Sequence, residues 1–335
     1  MVCLVLKPMS PKIRFNNKRV ETINPITLEL WDKYEIDMNV RELSGSTVRG
    51  YRNDLEQLWM YTRDHFNNIP ITELTEDELT EFFYYCKMQG NNAKRIKRRM
   101  ASVSAFYKFL RKRKIIKEDP MEFIDRPKRD TRVITQTFLS QDQINILKEQ
   151  LWQKYEEAKT LPSKHRALSY LVYASLSLST MVRINAICNI RWKQIDFSNR
   201  TINDVLEKEG KIVTLYFSKE VAGYLKELKA FRKERGINDK GYLFVSKVND
   251  EYAQVSKTTL NQWTKKMGSM IGEPTLHPHD FRHSQATLFK DAGMPLEDIS
   301  ALLNHESTET TNQFYIKRND KNIVSLKDRF EDGDS

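Results

Sequence analysis

The sequence predicts a mostly α-helical protein with a small β-sheet, built as a helical domain followed by a mixed α/β domain. Apolar residues recur at helical spacing through four segments between Ile26 and Lys112. A polar stretch from Lys128 to Thr137, preceded by Pro120 and Arg126-Pro127, then breaks all periodicity. Beyond it, helical patterning returns around one patch that alternates like strands, between Arg200 and Phe217. A chain of 335 residues is long enough for two ordinary domains, each burying its own core.

In order along the chain, residues 1–24 are basic and poorly patterned, which predicts an arm. Helices are expected over Ile26–Val40 and Thr47–Phe66, the second with Val48, Tyr51, Leu55, Leu58, Trp59 and Thr62 along one side. Thr75-x-x-Glu78 has the form of a capping box opening a helix through Leu79, Phe82, Phe83 and Cys86, stopped at Gly90. The fourth helix, Asn92 to about Lys112, buries Ile96, Met100, Val103, Tyr107 and Leu110. At 100° per residue, Lys94, Lys97, Arg98, Lys108 and Lys112 fall opposite that stripe, with Ala101 and Ala105 among them. Small residues between long cations let a helix approach a sugar-phosphate backbone closely. The aromatics of these helices read as core rather than as base-stacking platforms. The helical domain is thus expected over 25–123 and a linker over 124–138. Ser140-x-x-Gln143 opens the second domain, 139–335, in which an apparent turn at Glu209-Gly210 joins strands Arg200–Ile202 and Ile212–Phe217. Helices follow over Thr258–Met270, His279–Asp291 and Leu296–Leu303, then a tail whose Ile323, Val324, Leu326 and Phe330 form an apolar face.

Lys and Arg number 55 against 45 Asp and Glu, a net charge of +10 with pI near 9.3, which points to a polyanionic partner. The surplus is concentrated: Lys94–Arg132 holds fifteen basic and five acidic residues, a surplus equal to that of the whole chain. The tract starts on a helix and runs into a linker, a placement that favours nucleic-acid contact over a merely solvated face. Cys3, Cys86 and Cys188 lie far apart without metal-ligand spacing, as in a reduced, intracellular protein. The apolar run at the start is ended by Lys7 and Pro8 short of a signal-peptide core, and no stretch approaches a membrane span. A cytoplasmic, nucleoid-associated protein is expected.

The chemistry gathers near the end: His279-Asp280-Phe281-Arg282, then His305 and Tyr315, with Arg183 far upstream. Two guanidiniums, two imidazoles and a phenol suit attack on a phosphodiester. The arginines neutralise non-bridging oxygens bidentately, the imidazoles handle protons or donate to the phosphate, and the phenol is the nucleophile. His277, His279 and His283 could suggest a metal site, since histidines at i and i+4 share a helix face, yet no cysteine or acidic third ligand is spaced to join them, so no metal is expected. His283 reads as a packing residue, and His65 and His165 as ordinary ones.

Over about residues 25–330 the chain resembles the tyrosine recombinases of the phage integrase family. Thr180-Met181-Val182-Arg183-Ile184 and Ile190–Asp196 match the first-arginine box; Leu276–Thr287, with His279 and Arg282, match the second. Leu302-Leu303-Asn304-His305-Glu306-Ser307 and Thr310–Tyr315 match the third. Ser46–Tyr51 with Asp54-Leu55 resembles the opening helix of Xer-type, SAM-like core-binding domains. The resemblance implies a helical core-binding domain and a tyrosine-recombinase catalytic domain that clamp double-stranded DNA, assembling on it from dimer to tetramer, with the tail either docked on a neighbouring protomer or covering its own domain. It implies integration or excision of a mobile element, with dimer resolution as the next use. Arg183 and Arg282 would clamp the scissile phosphate, Tyr315 attack it, His279 transfer a proton and His305 hydrogen-bond a phosphate oxygen. A hairpin lysine, Lys208 with Lys211 as rival, would protonate the 5′ leaving group. The phosphotyrosyl link conserves bond energy, so no cofactor or metal is expected.

Three positions depart from the family pattern. Ala186 stands where an acid usually follows the first arginine, and its lack is expected to loosen the site and to make Ala186→Glu restore a partner for Arg183. Met181 and Asn304 replace glycines, the second mildly, since Asn tolerates left-handed backbone. Ala186 and Met181 support an alternative: a protein of this fold that binds DNA sites without cutting, as a repressor or architectural factor.

Overall fold

The computed structural model describes residues 22–128, 138–207 and 210–304. The chain separates into two compact units divided between residues 133 and 134. Most of the expected arm and linker, the lysine at 208, the third-box residues from 305 onward and the tail lie outside the described residues.

Among the described residues the first unit has four α-helices: α1 (Pro25–Val40), α2 (Gly45–His65), α3 (Glu76–Met88) and α4 (Ala93–Lys112). Each start is written locally. Asn24, Ser44 and Asn92 accept from the backbone N–H groups of the first turns, and Thr75 and Glu78 form the reciprocal capping box. Ser44 is the reason α2 begins at Gly45, two residues before the expected Thr47. The apolar stripes meet in one core, where Trp31 packs edge-on against Trp59 at 5.7 Å and Tyr34 against Phe106 at 5.2 Å. Two hydrogen bonds lie within it: the Tyr107 hydroxyl donates to the Ile71 carbonyl at 2.7 Å, and the Ile71 N–H to Thr27 Oγ1 at 3.0 Å. The packing extends beyond the expected bounds, taking in Ile23 and Ile124.

In the second unit, α5 (Gln141–Glu157), α6 (Leu161–Thr180) and α8 (Lys219–Glu234) surround one core; α7 (Ile184–Ile187) is a single turn. The Ser140–Gln143 capping box forms as expected. α6 is buried nearly all round through Leu168, Leu171, Val172, Tyr173 and Leu176, which makes it the central helix of this unit. The sheet is antiparallel in the order β1 (Ile195–Asp196), β2 (Thr201–Leu206), β3 (Ile212–Tyr216), one short strand more than expected. Ile202 pairs with Leu215 and Val205 with Val213, and an irregularity between Ile202 and Val205 shifts the register. A second hairpin, β4 (Val245–Val248) and β5 (Glu251–Gln254), was not expected from the sequence; Asn249 and Asp250 make its turn at φ 46 and 67. α9 (Lys257–Met270), α10 (Pro278–Asp291) and α11 (Leu296–Leu302) follow. Gly268 lets α9 meet the chain leading to α10: a Cβ there would collide with the Glu273 carbonyl oxygen.

Candidate active site

α6 ends at Thr180, and Met181 turns the chain away at φ 51, its N–H still donating to the Ser177 carbonyl at 3.0 Å. Left-handed backbone is costly for a residue with a Cβ and is usually left to glycine. Packing holds it here: Met181 is 1% exposed, against Ala286, Ile299 and Leu303 of α10, α11 and the residue after α11. Two residues on, Arg183 stands at the N-terminal cap of α7.

Arg282 projects from α10 and is buried, with Nη1 donating to the Met181 carbonyl at 2.7 Å and Nη2 to the Leu303 carbonyl at 2.6 Å. One guanidinium therefore ties the turn before Arg183 to the end of α11. Just beyond, Asn304 turns left-handed at φ 51, as expected of the residue replacing a glycine. The start of α10 is fixed by Asp280, a buried carboxylate that accepts from the His277 N–H at 2.8 Å and faces His277 Nδ1 at 3.0 Å. Burial raises the Asp280 pKa, while the His277 N–H bond and charge pull it down.

His279, one turn before Arg282, keeps solvent access while the protein partly desolvates its ring. That desolvation, then the charges of Arg282, His277 and Arg183, lowers its pKa below the ordinary histidine value. Arg183 thus shares one electrostatic neighbourhood with His279 and Arg282, nearly a hundred residues further along the sequence. His283 lies on the same helix, its ring 6.4 Å from that of His279, and burial pushes its pKa down to about 4. No group of three or more His, Cys, Asp or Glu that could hold a metal occurs among the described residues.

The structure corrects the expectation that Arg183 lacks a carboxylate partner. Ala186, one turn along α7, is buried and apolar, but Arg183 Nη1 donates to Glu207 Oε2 from the end of β2. The Glu207 N–H donates to the Lys211 carbonyl at 2.8 Å, which anchors the far side of the hairpin loop, while Lys211 itself is exposed. Strand alternation carried a signal for Glu207: with Val205 inward, apolar Leu206 points out at 60% exposure and charged Glu207 points in at 7%. Lys208, His305 and Tyr315 lie outside the described residues.

In the first unit, Lys94, Arg98, Lys108 and Lys112 are exposed on α4, Lys97 is half-buried, and Ala101 and Ala105 lie between them half-buried. Arg98 differs from the lysines: its Nη2 donates to Asp54 at 2.8 Å, and Asp54, 2% exposed, also accepts from the Ser102 hydroxyl. Its charge is therefore partly compensated, by a carboxylate that also lies 3.8 Å from Arg99 Nε.

A model of the phage integrase family matches residues 137–322, and a model of the phage integrase N-terminal SAM-like domain matches residues 32–114. The chain is 28% identical over 278 residues to tyrosine recombinase XerC of Lactobacillus delbrueckii subsp. bulgaricus, spanning 82% of this chain and 88% of that one. Tyrosine recombinase XerC of Leptospira interrogans is 26% identical over 309 residues, 91% of this chain and 93% of that one. Among solved structures, XerH recombinase bound to palindromic difH substrate superposes with a TM-score of 0.67 at 17% identity, covering 87% of this chain and 82% of XerH. The Tn1549 transposon integrase in complex with circular intermediate DNA gives 0.65 at 18% identity, covering 89% and 98%. At these identities the structural likeness is one of fold.

Proposed function

Because the chain belongs to the phage integrase family of tyrosine recombinases, enzymes that cleave and rejoin DNA, we propose that it cuts and rejoins duplex DNA at specific sites through Tyr315. The observation that carries this reading is the convergence of Arg183, His279 and Arg282 into one electropositive site from elements far apart in sequence. The two guanidiniums are suited to a phosphate. Two backbone carbonyls fix the orientation of Arg282, while Arg183 keeps 27% of its side chain exposed.

In this reading the Tyr315 oxygen attacks the scissile phosphorus, the bond to the 5′ oxygen breaks, and a 3′-phosphotyrosyl link remains. Arg183 and Arg282 neutralise the non-bridging oxygens, His279 takes part in proton transfer, and His305 donates to a phosphate oxygen. Lys208, with Lys211 as the alternative, gives its proton to the leaving 5′ oxygen. Attack by another strand's 5′-hydroxyl reverses the step and completes exchange, so neither a cofactor nor a metal enters the scheme. The first unit contributes Lys94, Lys97, Lys108 and Lys112 to the DNA backbone, and the protein assembles on its site from dimer to tetramer. We assign its use to integration and excision of a mobile element; the Xer recombinases among its relatives favour resolution of DNA dimers as the second reading. Such a protein works in the cytoplasm, at the nucleoid, and no helix among the described residues is long and apolar enough to cross a membrane.

The test is covalent trapping on a nicked suicide substrate carrying the native site. Wild-type protein is expected to accumulate a protein–DNA adduct. Tight site binding with no adduct on a validated site would replace this reading with the repressor or architectural one.

A further inference from the structure

We infer that Glu207 is a positioning residue for Arg183, supplying from the β2–β3 hairpin the carboxylate that position 186 does not provide. The inference rests on the strand-cutting function proposed above. Glu207 is 7% exposed, and one carboxylate oxygen accepts from Arg183 Nη1. The other, Oε1, is buried without a hydrogen-bond partner among the described residues. A buried carboxylate is unfavourable unless paired, and replacing such an ion pair by apolar residues of similar size is often neutral or stabilising. The strand has an apolar residue next door, Leu206, but turns it to solvent and places the acid inside. Stability alone does not account for that choice. A guanidinium held in a fixed orientation before DNA arrives does account for it.

The chain geometry makes the support specific. Arg183 caps a single helical turn whose inward position, Ala186, offers no polar side-chain atom. Glu207 reaches it from 24 residues away, at the root of the loop that carries Lys208. Glu207 thereby couples the arginine to the hairpin. Using one of the five guanidinium N–H groups leaves the others for two phosphate oxygens. Because the carboxylate also offsets positive charge, its role is to orient Arg183, and it adds nothing to attraction of DNA.

The experiment compares wild type, Glu207→Gln, Glu207→Asp, Ala186→Glu and the double variant Glu207→Gln with Ala186→Glu, all as the full chain. Single-turnover cleavage of the native site, site affinity and melting temperature are measured together. Glu207→Gln is expected to cleave about 10- to 100-fold more slowly, by analogy with groups that orient metal ligands, with affinity unchanged or slightly tighter. Glu207→Asp, charged but shorter, is expected to fall between. The double variant is expected to regain part of the loss, whereas Ala186→Glu alone crowds two carboxylates on one guanidinium and is expected to slow cleavage. That expectation reverses the one drawn from the sequence. Wild-type cleavage matched or exceeded by folded Glu207→Gln overturns the inference and leaves the proposed function standing. So does a loss of cleavage that only follows a loss of affinity or a collapse of the melting temperature in both single Glu207 variants. Absence of any wild-type adduct on a validated site removes the function and the inference together.

Discussion

Replacing Met181 by glycine tests whether packing or backbone strain governs the turn that places Arg183. Glycine removes the cost of a left-handed L-residue, about 1–2 kcal/mol, from a position at φ 51. It also deletes a side chain that is 1% exposed where α6, α10 and α11 meet. Truncating a buried Met to alanine costs about 2–5 kcal/mol, and packing therefore outweighs strain. Met181→Gly is expected to destabilise the second unit by about 1–3 kcal/mol, and Met181→Ala by about 1 kcal/mol more, because alanine keeps the strain while giving up the packing. For a unit of this size the glycine variant should melt roughly 2–12 °C lower. The assay is chemical and thermal unfolding of the full chain, following the transition of the second unit separately from that of the first. Cleavage should fall as well, since the same turn presents the carbonyl that holds Arg282. A glycine variant as stable as wild type would show that packing does not govern this turn, and an alanine variant more stable than the glycine one would show that left-handed strain does not set their order.

Replacing Lys94, Lys108 and Lys112 with alanine is expected to lower the slope of log affinity against log salt by about 0.9 for each phosphate no longer neutralised; an unchanged slope makes these lysines a solvated face only. Arg98 is left out of that set because its guanidinium is also bonded to Asp54, so its removal would disturb more than DNA contact. His165 gives a pH test: it is buried, accepts from Arg232 Nε at 3.0 Å, and burial followed by the Arg232 charge lowers its pKa to about 3. The unfolded chain binds its proton near pH 6.5, so this contribution is complete above that pH and is lost progressively as pH falls toward 3. His165→Gln should flatten the acid limb of the second unit's stability curve measured by denaturation, and an equally steep limb would count against it.

What could be read from sequence was what depends on near neighbours. Thr75 with Glu78 and Ser140 with Gln143 cap their helices through bonds between residues three apart, and the residue types alone announce them. The α2 and α4 stripes face the core because helical period and apolarity coincide there. Met181 and Asn304 were identifiable as special because each stands where glycine is usual, and both adopt positive φ. What escaped depends on distant partners or weak patterning. β4 and β5 have little inward alternation, so only the Asn249-Asp250 turn marked them. The carboxylate for Arg183 was sought three residues away, but it comes from the end of a strand. His165 carried no local sign of its bond to Arg232, 67 residues on.

In the proposed function this chain cleaves DNA by making a covalent bond to Tyr315. The direct measurement is peptide mapping by mass of the adduct trapped on a nicked suicide substrate, alongside the same reaction with Tyr315→Phe. The wild-type adduct is predicted to lie on the peptide containing Tyr315, attached to a 3′-phosphate with a free 5′-hydroxyl opposite. Tyr315→Phe is predicted to give no adduct at nearly unchanged site affinity, because the substitution removes one hydroxyl and little buried area. An adduct that persists in Tyr315→Phe, or that maps to another residue, would contradict the claim.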